Sequence, residues 1–118
     1  MNLGFHKKEK LKSRKLIEQL FAEGAALKKF PIKVVFMVEK EAQGHQAAFS
    51  VPKRSFKLSV SRNRIKRQMR EAYRLHKHLL TNESGRKFVM IFIYLDKKKP
   101  QYAQIDSSIK ALLKQLHL

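Results

Sequence analysis

The residues with the clearest chemical potential form one basic segment, residues 59–74. Arginine dominates this segment, and its planar guanidinium can donate two parallel hydrogen bonds to phosphate oxygens while keeping its charge. On a helical wheel of about 100° per residue, the apolar residues spaced with Ile65 fall in one narrow sector, and most polar and cationic residues fall in the adjoining one. The polar and cationic residues of the segment are Arg62, Asn63, Arg64, Lys66, Arg67, Arg70 and Arg74. The pattern predicts a helix that buries one face and offers cations on the next.

Such a concentration of charge weakens the helix that carries it, because like charges three or four positions apart repel by a few tenths of a kcal/mol per pair. Glu71 is the nearby acidic residue that can offset the repulsion, by pairing with Arg67 or Arg74. The whole chain is also basic, with 27 Lys and Arg against 9 Asp and Glu, a formal net charge of +18. A polyanionic partner would relieve this repulsion, which favours nucleic acid first and an anionic membrane second. A solvated basic face without a ligand is the simpler alternative.

Other chemistries have little support in the sequence. The chain has no cysteine, and its five histidines are scattered, so we predict no metal site in the protein. It contains no paired general acid and base, no nucleophile motif and no glycine-rich phosphate loop, so we predict no catalytic residues in the protein. No apolar run approaches the roughly 20 residues of a membrane helix, and the N-terminus lacks the apolar core of a secretory signal. We expect a soluble, cytoplasmic protein.

The elements that position the basic segment can be read from periodicity and caps. We predict a single domain over residues 1–118, with residues 1–12 as a basic, flexible arm. Ser13 is a plausible N-cap and Gly24 a plausible stop for the first helix. The predicted elements are a helix over 13–24, strands over 31–39 and 46–51, a helix over 59–80, a strand over 87–95 and a final helix ending near 116. The strand over 87–95 is apolar on both faces, which is typical of a central strand.

The predicted order is therefore α-β-β-α-β-α, with room for a short extra strand before the long helix. This order predicts an α/β (α+β) two-layer sandwich, in which helices pack on a small mixed sheet.

Three blocks of the sequence resemble the protein family of bacterial ribonuclease P. The block over 62–67, Arg-Asn-Arg-Ile-Lys-Arg, with the following 69–74, is similar to the RNR signature helix of that family. The block Phe-Ser-Val-Pro-Lys-Arg over 49–54 resembles the family's strand ending, and Leu-Phe-Ala-Glu-Gly over 20–24 resembles the end of its first helix. The blocks follow the family's order and spacing, and the resemblance covers about residues 10–116.

Two departures from the family pattern are small. Ile17 stands where an aromatic residue is common, and Pro52 stands where serine or alanine is usual. The first bears on how aromatic a binding cleft would be.

The resemblance implies a fold, an activity and partners. The implied fold is an α/β sandwich with a left-handed β-α-β crossover, although general topology rules favour a right-handed one. The implied activity is removal of the 5′ leader from precursor tRNA, with catalysis by an RNA subunit that uses Mg²⁺. The protein would bind both the catalytic RNA and precursor tRNA. We expect a monomer in the holoenzyme, with no cofactor bound by the protein alone and no DNA or membrane partner.

The resemblance also implies roles for individual residues. The basic residues of the RNR helix would contact phosphates of the catalytic RNA, and Asn63 would lie near the cleavage region. A cleft between the first helix and the sheet would hold the single-stranded leader, because aromatic faces stack on unpaired bases for roughly 1–3 kcal/mol per base. The predicted residues of this leader cleft are Phe21, Phe36, Phe49, Lys53 and Arg54. Core packing is the alternative for each phenylalanine, and it is strongest for Phe36.

Three rival functions use the same basic helix. A general RNA-binding or ribosome-associated protein would need no leader cleft. A DNA-binding module would carry base-reading side chains among the basic ones, and Asn63 and Gln68 offer thin support for it. A membrane-surface protein would keep an apolar helix face free to insert, whereas here the core requires that face.

Overall fold

The structure, a computed structural model, describes residues 9–39, 44–80 and 86–116. Its elements in chain order are α1 (Arg14–Glu23), β1 (Ala25–Lys29), β2 (Ile32–Val38), β3 (Gln46–Ser50), α2 (Ser59–His76), a 3-10 helix (Lys77–Leu80), β4 (Phe88–Tyr94) and α3 (Tyr102–Leu116). The predicted order is confirmed. The extra strand is β1, which lies directly after α1 rather than directly before the long helix.

The four strands form one mixed sheet in the order β1-β2-β4-β3. The pairs β1–β2 and β2–β4 are antiparallel, and β3 and β4 are parallel. The prediction of a central strand is confirmed, because β4 lies between two neighbours and is buried on both faces. The segment β3-α2-β4 is therefore a crossover between neighbouring parallel strands. Its left hand stays a prediction from the family resemblance.

Helices cover both faces of the sheet. Alternate strand residues such as Val34, Met90 and Phe92 pack with α2 and α3 in the larger core. The intervening residues, such as Val35 and Ile91, pack with α1 in a smaller core. The mixed α+β fold is confirmed, and α1 adds a partial third layer to the predicted two-layer sandwich.

Both predicted ends of α1 are confirmed. The Leu16 N–H donates to Ser13 Oγ at 3.3 Å, so Ser13 caps the first turn. At the other end the Gly24 N–H donates to the Leu20 carbonyl oxygen at 2.8 Å. A Cβ atom at position 24 would lie 2.4 Å from that same oxygen. Glycine is required here by this close backbone approach.

The prediction that residues 1–12 form a flexible arm is wrong for residues 9–11, and residues 1–8 lie outside the described residues. Lys10 forms a parallel bridge with Ala47, and the Leu11 N–H donates to the Ala47 carbonyl oxygen at 3.0 Å. Leu11 is buried in the smaller core, and Glu9 pairs with Lys77 at 2.7 Å. The lysines around Leu11 hid this docking, because one apolar residue gives no periodicity to read.

His45 joins the start of β3 to the start of β4. Its ring stacks on Phe88 with centroids 5.7 Å apart, and its Nδ1 accepts a hydrogen bond from the Phe88 N–H at 3.0 Å. Burial, with a smaller contribution from the charge of Lys87, lowers the pKa of His45 to about 4. The imidazole is therefore neutral at physiological pH, and a neutral Nδ1 is what this hydrogen bond requires.

Candidate nucleic-acid interface

Helix α2 turns its most basic face away from the core. Its buried residues are Ile65, Met69, Ala72 and Tyr73. On a helical wheel of about 100° per residue, four polar and cationic residues have a mean direction roughly 170° from Ile65, on the side away from the core. We call this set the basic stripe; it consists of Asn63, Arg67, Arg70 and Arg74. Asn63, Arg67 and Arg70 are exposed and Arg74 is half-buried, so the stripe faces solvent, as expected for the predicted cationic sector.

The middle of the basic stripe is available to a ligand. Arg67 and Arg70 are both exposed. Within the described residues neither side chain donates a hydrogen bond to a protein group or forms an ion pair. Two guanidinium groups about one turn apart therefore present their full donor sets to solvent, and each can pair with the oxygens of a phosphate.

The C-terminal end of the stripe is already paired within the protein. Arg74 Nε donates to Glu71 Oε2 at 3.0 Å, and Arg74 Nη2 donates to Glu71 Oε1. This bidentate pairing lowers the pKa of the Glu71 carboxyl and raises that of the Arg74 guanidinium, chiefly through the hydrogen bonds. The predicted pairing of Glu71 is thereby confirmed toward Arg74. The pair leaves Arg74 with less free charge than Arg67 and Arg70.

Arg62 is a correction to the predicted RNA-binding set. It lies about 60° from Ile65 on the wheel, on the core side of the helix, and is half-buried. Its Nη1 donates to the carbonyl oxygens of Phe56 and Lys57, each at 2.8 Å. Arg62 therefore braces the chain that leads into α2. The sequence does not reveal this role, because it depends on how residues 56–57 turn back over the helix.

The other two predicted cations flank the stripe. Lys66 is half-buried on one side, and Arg64 is exposed on the other. Arg64 lies one turn before Arg67 and borders a pocket at the start of the helix. Both side chains can extend the cationic surface sideways.

The predicted leader cleft is wrong in two of its aromatic residues. Phe36 meets Phe88 edge-on at 6.2 Å, and Phe49 stacks on Phe92 at 5.6 Å. Both rings belong to the core under α2 and α3, on the sheet face opposite α1. The sheet register places the two rings on one face, because Phe36 pairs with Met90 and Phe49 pairs with Phe92. Helix α1 docks on the other face, so these two rings share no cleft with Phe21.

The remaining predicted cleft residues are accessible. Phe21 on α1 is 58% exposed, although its neighbour Leu20 is fully buried. Lys53 and Arg54 are exposed in the turn after β3. The strands turn partly buried apolar residues, among them Met37 and Ile93, toward the α1 side of the sheet. A single-stranded nucleic acid on the α1 side of the sheet could therefore contact both an aromatic ring and apolar residues of the strands.

Sequence reasoning missed the apolar start of α2. Leu58 is 71% exposed and Val60 is 78% exposed, the two highest values among the exposed large apolar residues of the described chain. Val60 offered a signal, because it lies about 140° from Ile65 on the wheel and so cannot share the core stripe.

Two further observations concern metal binding and membrane insertion. Among residues 9–39, 44–80 and 86–116, no three His, Asp or Glu side chains gather closely enough to hold a metal ion. Across the same ranges, no helix combines the length and the apolar character needed to cross a membrane.

Comparison with known proteins gives consistent matches. The family model described as Ribonuclease P matches residues 5–117. The chain is similar to the ribonuclease P protein component of Porphyromonas gingivalis, with 34% identity over 118 residues that cover 93% of this chain and 84% of the relative. It is 35% identical to that of Chlorobium phaeobacteroides over 111 residues, which cover 90% of this chain and 68% of the relative.

Solved structures match the fold. The RNase P protein of Staphylococcus aureus superposes with a TM-score of 0.74 at 24% identity, covering 91% of this chain and 94% of that one. The RNase P protein of Thermotoga maritima gives a TM-score of 0.74 at 21% identity, covering 91% and 96%. Because the sequence identities are low, these structural matches support the arrangement of helices and strands and nothing further.

Proposed function

The chain belongs to the ribonuclease P protein family, and from that premise we propose that it binds the catalytic RNA of ribonuclease P through the basic stripe of α2. Membership gives it a role in tRNA processing within a ribonucleoprotein. The observation that carries the finer proposal is the pair Arg67 and Arg70, exposed opposite the core and without protein partners in the described part of the chain. Asn63, Arg64, Lys66 and Arg74 complete the RNA-binding surface.

Electrostatics explains why this surface suits RNA. The net charge of +18 opposes self-association, so we propose a monomer, and it attracts a polyanion. Each phosphate that an arginine neutralises releases a condensed counterion, which makes binding tight at low salt and weaker as salt rises. The arginine fork then orients the helix on the backbone through paired hydrogen bonds. This mode reads backbone shape and charge, which is what a scaffold for one folded RNA requires.

The 5′ leader of precursor tRNA is assigned to the α1 side of the sheet. Phe21 supplies an exposed ring for stacking on an unpaired base, and Lys53 and Arg54 supply cations for its phosphates. Stacking on an aromatic face has little sequence preference, so one surface can accept many different leaders. Phe36 and Phe49 take no part, because they pack in the opposite core.

Catalysis is assigned to the RNA subunit. No three potential metal ligands gather closely enough to hold a metal ion within the described residues, and we assign the Mg²⁺ to the RNA subunit. The protein residues act by screening repulsion between the catalytic RNA and the substrate and by positioning the leader. Such a role belongs in the bacterial cytoplasm, where precursor tRNA is made.

The proposal is tested by processing of a precursor tRNA by bacterial ribonuclease P RNA at low Mg²⁺, with and without the full-length protein. The expected result is cleavage at the mature 5′ end only when the protein is present. Tight RNA binding without restored cleavage would replace the proposal with a general RNA-binding function.

Charge reversal adds a residue-level test. Arg67→Glu or Arg70→Glu should abolish the stimulation at physiological salt and leave the circular dichroism spectrum unchanged. Lys110→Glu on α3 is a matched exposed control, and it should retain most of the stimulation. Unfolding of the Arg67 or Arg70 variants would mean that this helix face is structural.

A further inference from the structure

A pocket of about 450 Å³ opens beside the start of α2. This volume lies in the lower part of the range typical of small-ligand sites, about 300–1,000 Å³. Its lining combines the exposed apolar side chains at the helix start with polar and cationic groups. The lining residues are Leu58, Val60, Ser61, Arg64, Ile65, Gln68, Lys99 and Pro100.

Lys99 and Pro100 form one wall of the pocket, and three hydrogen bonds hold the turn that leads into this wall. Asp96 Oδ1 accepts from the N–H groups of Lys97 and Lys98, at 2.7 and 3.2 Å. The Tyr94 hydroxyl donates to the Lys98 carbonyl oxygen at 2.6 Å. Burial, with a smaller contribution from the charge of Asp96, raises the pKa of Tyr94 to about 12, so this donor keeps its proton. The turn that carries Lys99 is thus pre-organised.

The opposite wall is held by Arg62. Its two hydrogen bonds to the carbonyl oxygens of Phe56 and Lys57 hold the backbone directly before Leu58. Both walls are therefore formed before any ligand arrives, which lowers the entropy cost of binding.

The lining chemistry selects the class of ligand. Leu58 and Val60 form an apolar surface suited to the plane of a ring. Gln68 carries both a donor and an acceptor that can meet the edge of a nucleobase. Arg64 and Lys99 supply positive charge for adjoining phosphates, and Arg64 lies one helical turn from Arg67. The pocket is therefore continuous with the basic stripe, and a positively charged rim disfavours an apolar or basic protein segment as the occupant.

We propose that this pocket holds one unstacked nucleobase of the RNA that binds the basic stripe, with the flanking phosphates on Arg64 and Lys99. The inference rests on the proposed function and deepens it, because it adds a base contact to an interface otherwise made with phosphates. Phosphate contacts fix the orientation of a protein on the backbone but carry no sequence information, whereas a base contact can distinguish one position of the RNA from another.

The test is missing-base interference on ribonuclease P RNA. A pool of RNA molecules, each lacking one base at a random position, is mixed with the full-length protein, and bound and free fractions are sequenced. The pocket variant is Leu58→Gln with Val60→Thr, two highly exposed sites at which substitution leaves the core intact. Leu75→Gln, an exposed site elsewhere on α2, is the matched control.

With wild-type protein, loss of one particular base should weaken binding at least about fivefold. This factor is the lower limit expected from the stacking of one base on the protein. The pocket variant should bind intact RNA more weakly by a similar factor, keep the wild-type salt dependence and lose interference at that one position. The Leu75→Gln control should keep the wild-type pattern.

An interference pattern that is the same for wild-type protein and the pocket variant would overturn the inference while leaving the basic stripe untouched. A variant weakened equally at all positions, with none lost, would also overturn it. Failure of the wild-type protein to bind intact RNA would instead refute the proposed function, and the base pocket with it.

Discussion

Replacing Arg62 should destabilise the fold rather than weaken phosphate binding. The Arg62→Met substitution keeps a long, unbranched side chain but removes both hydrogen bonds to the Phe56 and Lys57 carbonyl oxygens. A hydrogen bond from a charged donor contributes about 1.5–3 kcal/mol. Phe56 is buried, at 8% exposure, whereas water can replace the bond to the exposed Lys57. We therefore expect a loss of about 2 kcal/mol in the free energy of unfolding, or about 8 °C in Tm for a domain of this size.

The assay is urea denaturation followed by circular dichroism, with Arg70→Met as the matched control. Arg70 is exposed on the same helix, so its replacement should change stability by no more than about 0.5 kcal/mol. RNA binding should show the reverse order, because Arg70→Met removes a phosphate contact and Arg62→Met does not. A wild-type unfolding midpoint for Arg62→Met, combined with a shallower salt dependence of RNA binding, would refute the assignment of Arg62 as a brace.

Three further predictions concern other parts of the chain. Phe21→Ala should weaken affinity for leader-bearing precursor tRNA by roughly five- to a hundredfold but leave affinity for mature tRNA unchanged in filter binding; an equal loss for both removes Phe21 from the leader site. Unfolded chains protonate His45 below about pH 6.5 and the folded chain only near pH 4, so stability should fall as pH drops through this window. Allowing for partial solvent exposure, the loss at pH 5 is about 1 kcal/mol relative to pH 7, and urea midpoints for His45→Gln should show a flatter pH dependence. Gly24→Ala should lower the free energy of unfolding by about 1–3 kcal/mol in thermal melts, because its Cβ would lie 2.4 Å from the Leu20 carbonyl oxygen. Gly44→Ala, where a Cβ would have no atom within 4 Å, should cost much less in the same assay.

Local signals in the sequence were sufficient for several elements. Ser13 and Gly24 bound α1 as predicted, because a cap and a helix stop depend on neighbouring residues alone. The unbroken apolar run of β4 identified the central strand. By contrast, β1 is short and rich in alanine and lysine, which have low strand propensity. It forms because the edge of β2 offers it a complete set of backbone partners.

The site was less predictable, because it depends on docking between distant elements. Alternation assigns Phe36 to one face of its own strand, but only the pairing of the strands shows that Phe36 and Phe49 share a face with Phe92. Only the packed structure shows that α1 covers the other face. Likewise, the composition of α2 identifies its arginines as phosphate ligands, but the turn over 56–57 decides that Arg62 bonds to the protein.

The most direct test of RNA binding by the basic stripe is the salt dependence of affinity for ribonuclease P RNA, measured for wild-type protein and for Arg67→Gln with Arg70→Gln. Loss of two phosphate contacts should make the slope of log affinity against log salt shallower by roughly 1.4–1.8. Lys110→Gln with Lys114→Gln removes the same charge from exposed positions on α3 and should change the slope far less. Equal changes in both double variants would contradict RNA binding by the basic stripe, because the chain would then bind RNA through its overall charge and not through α2.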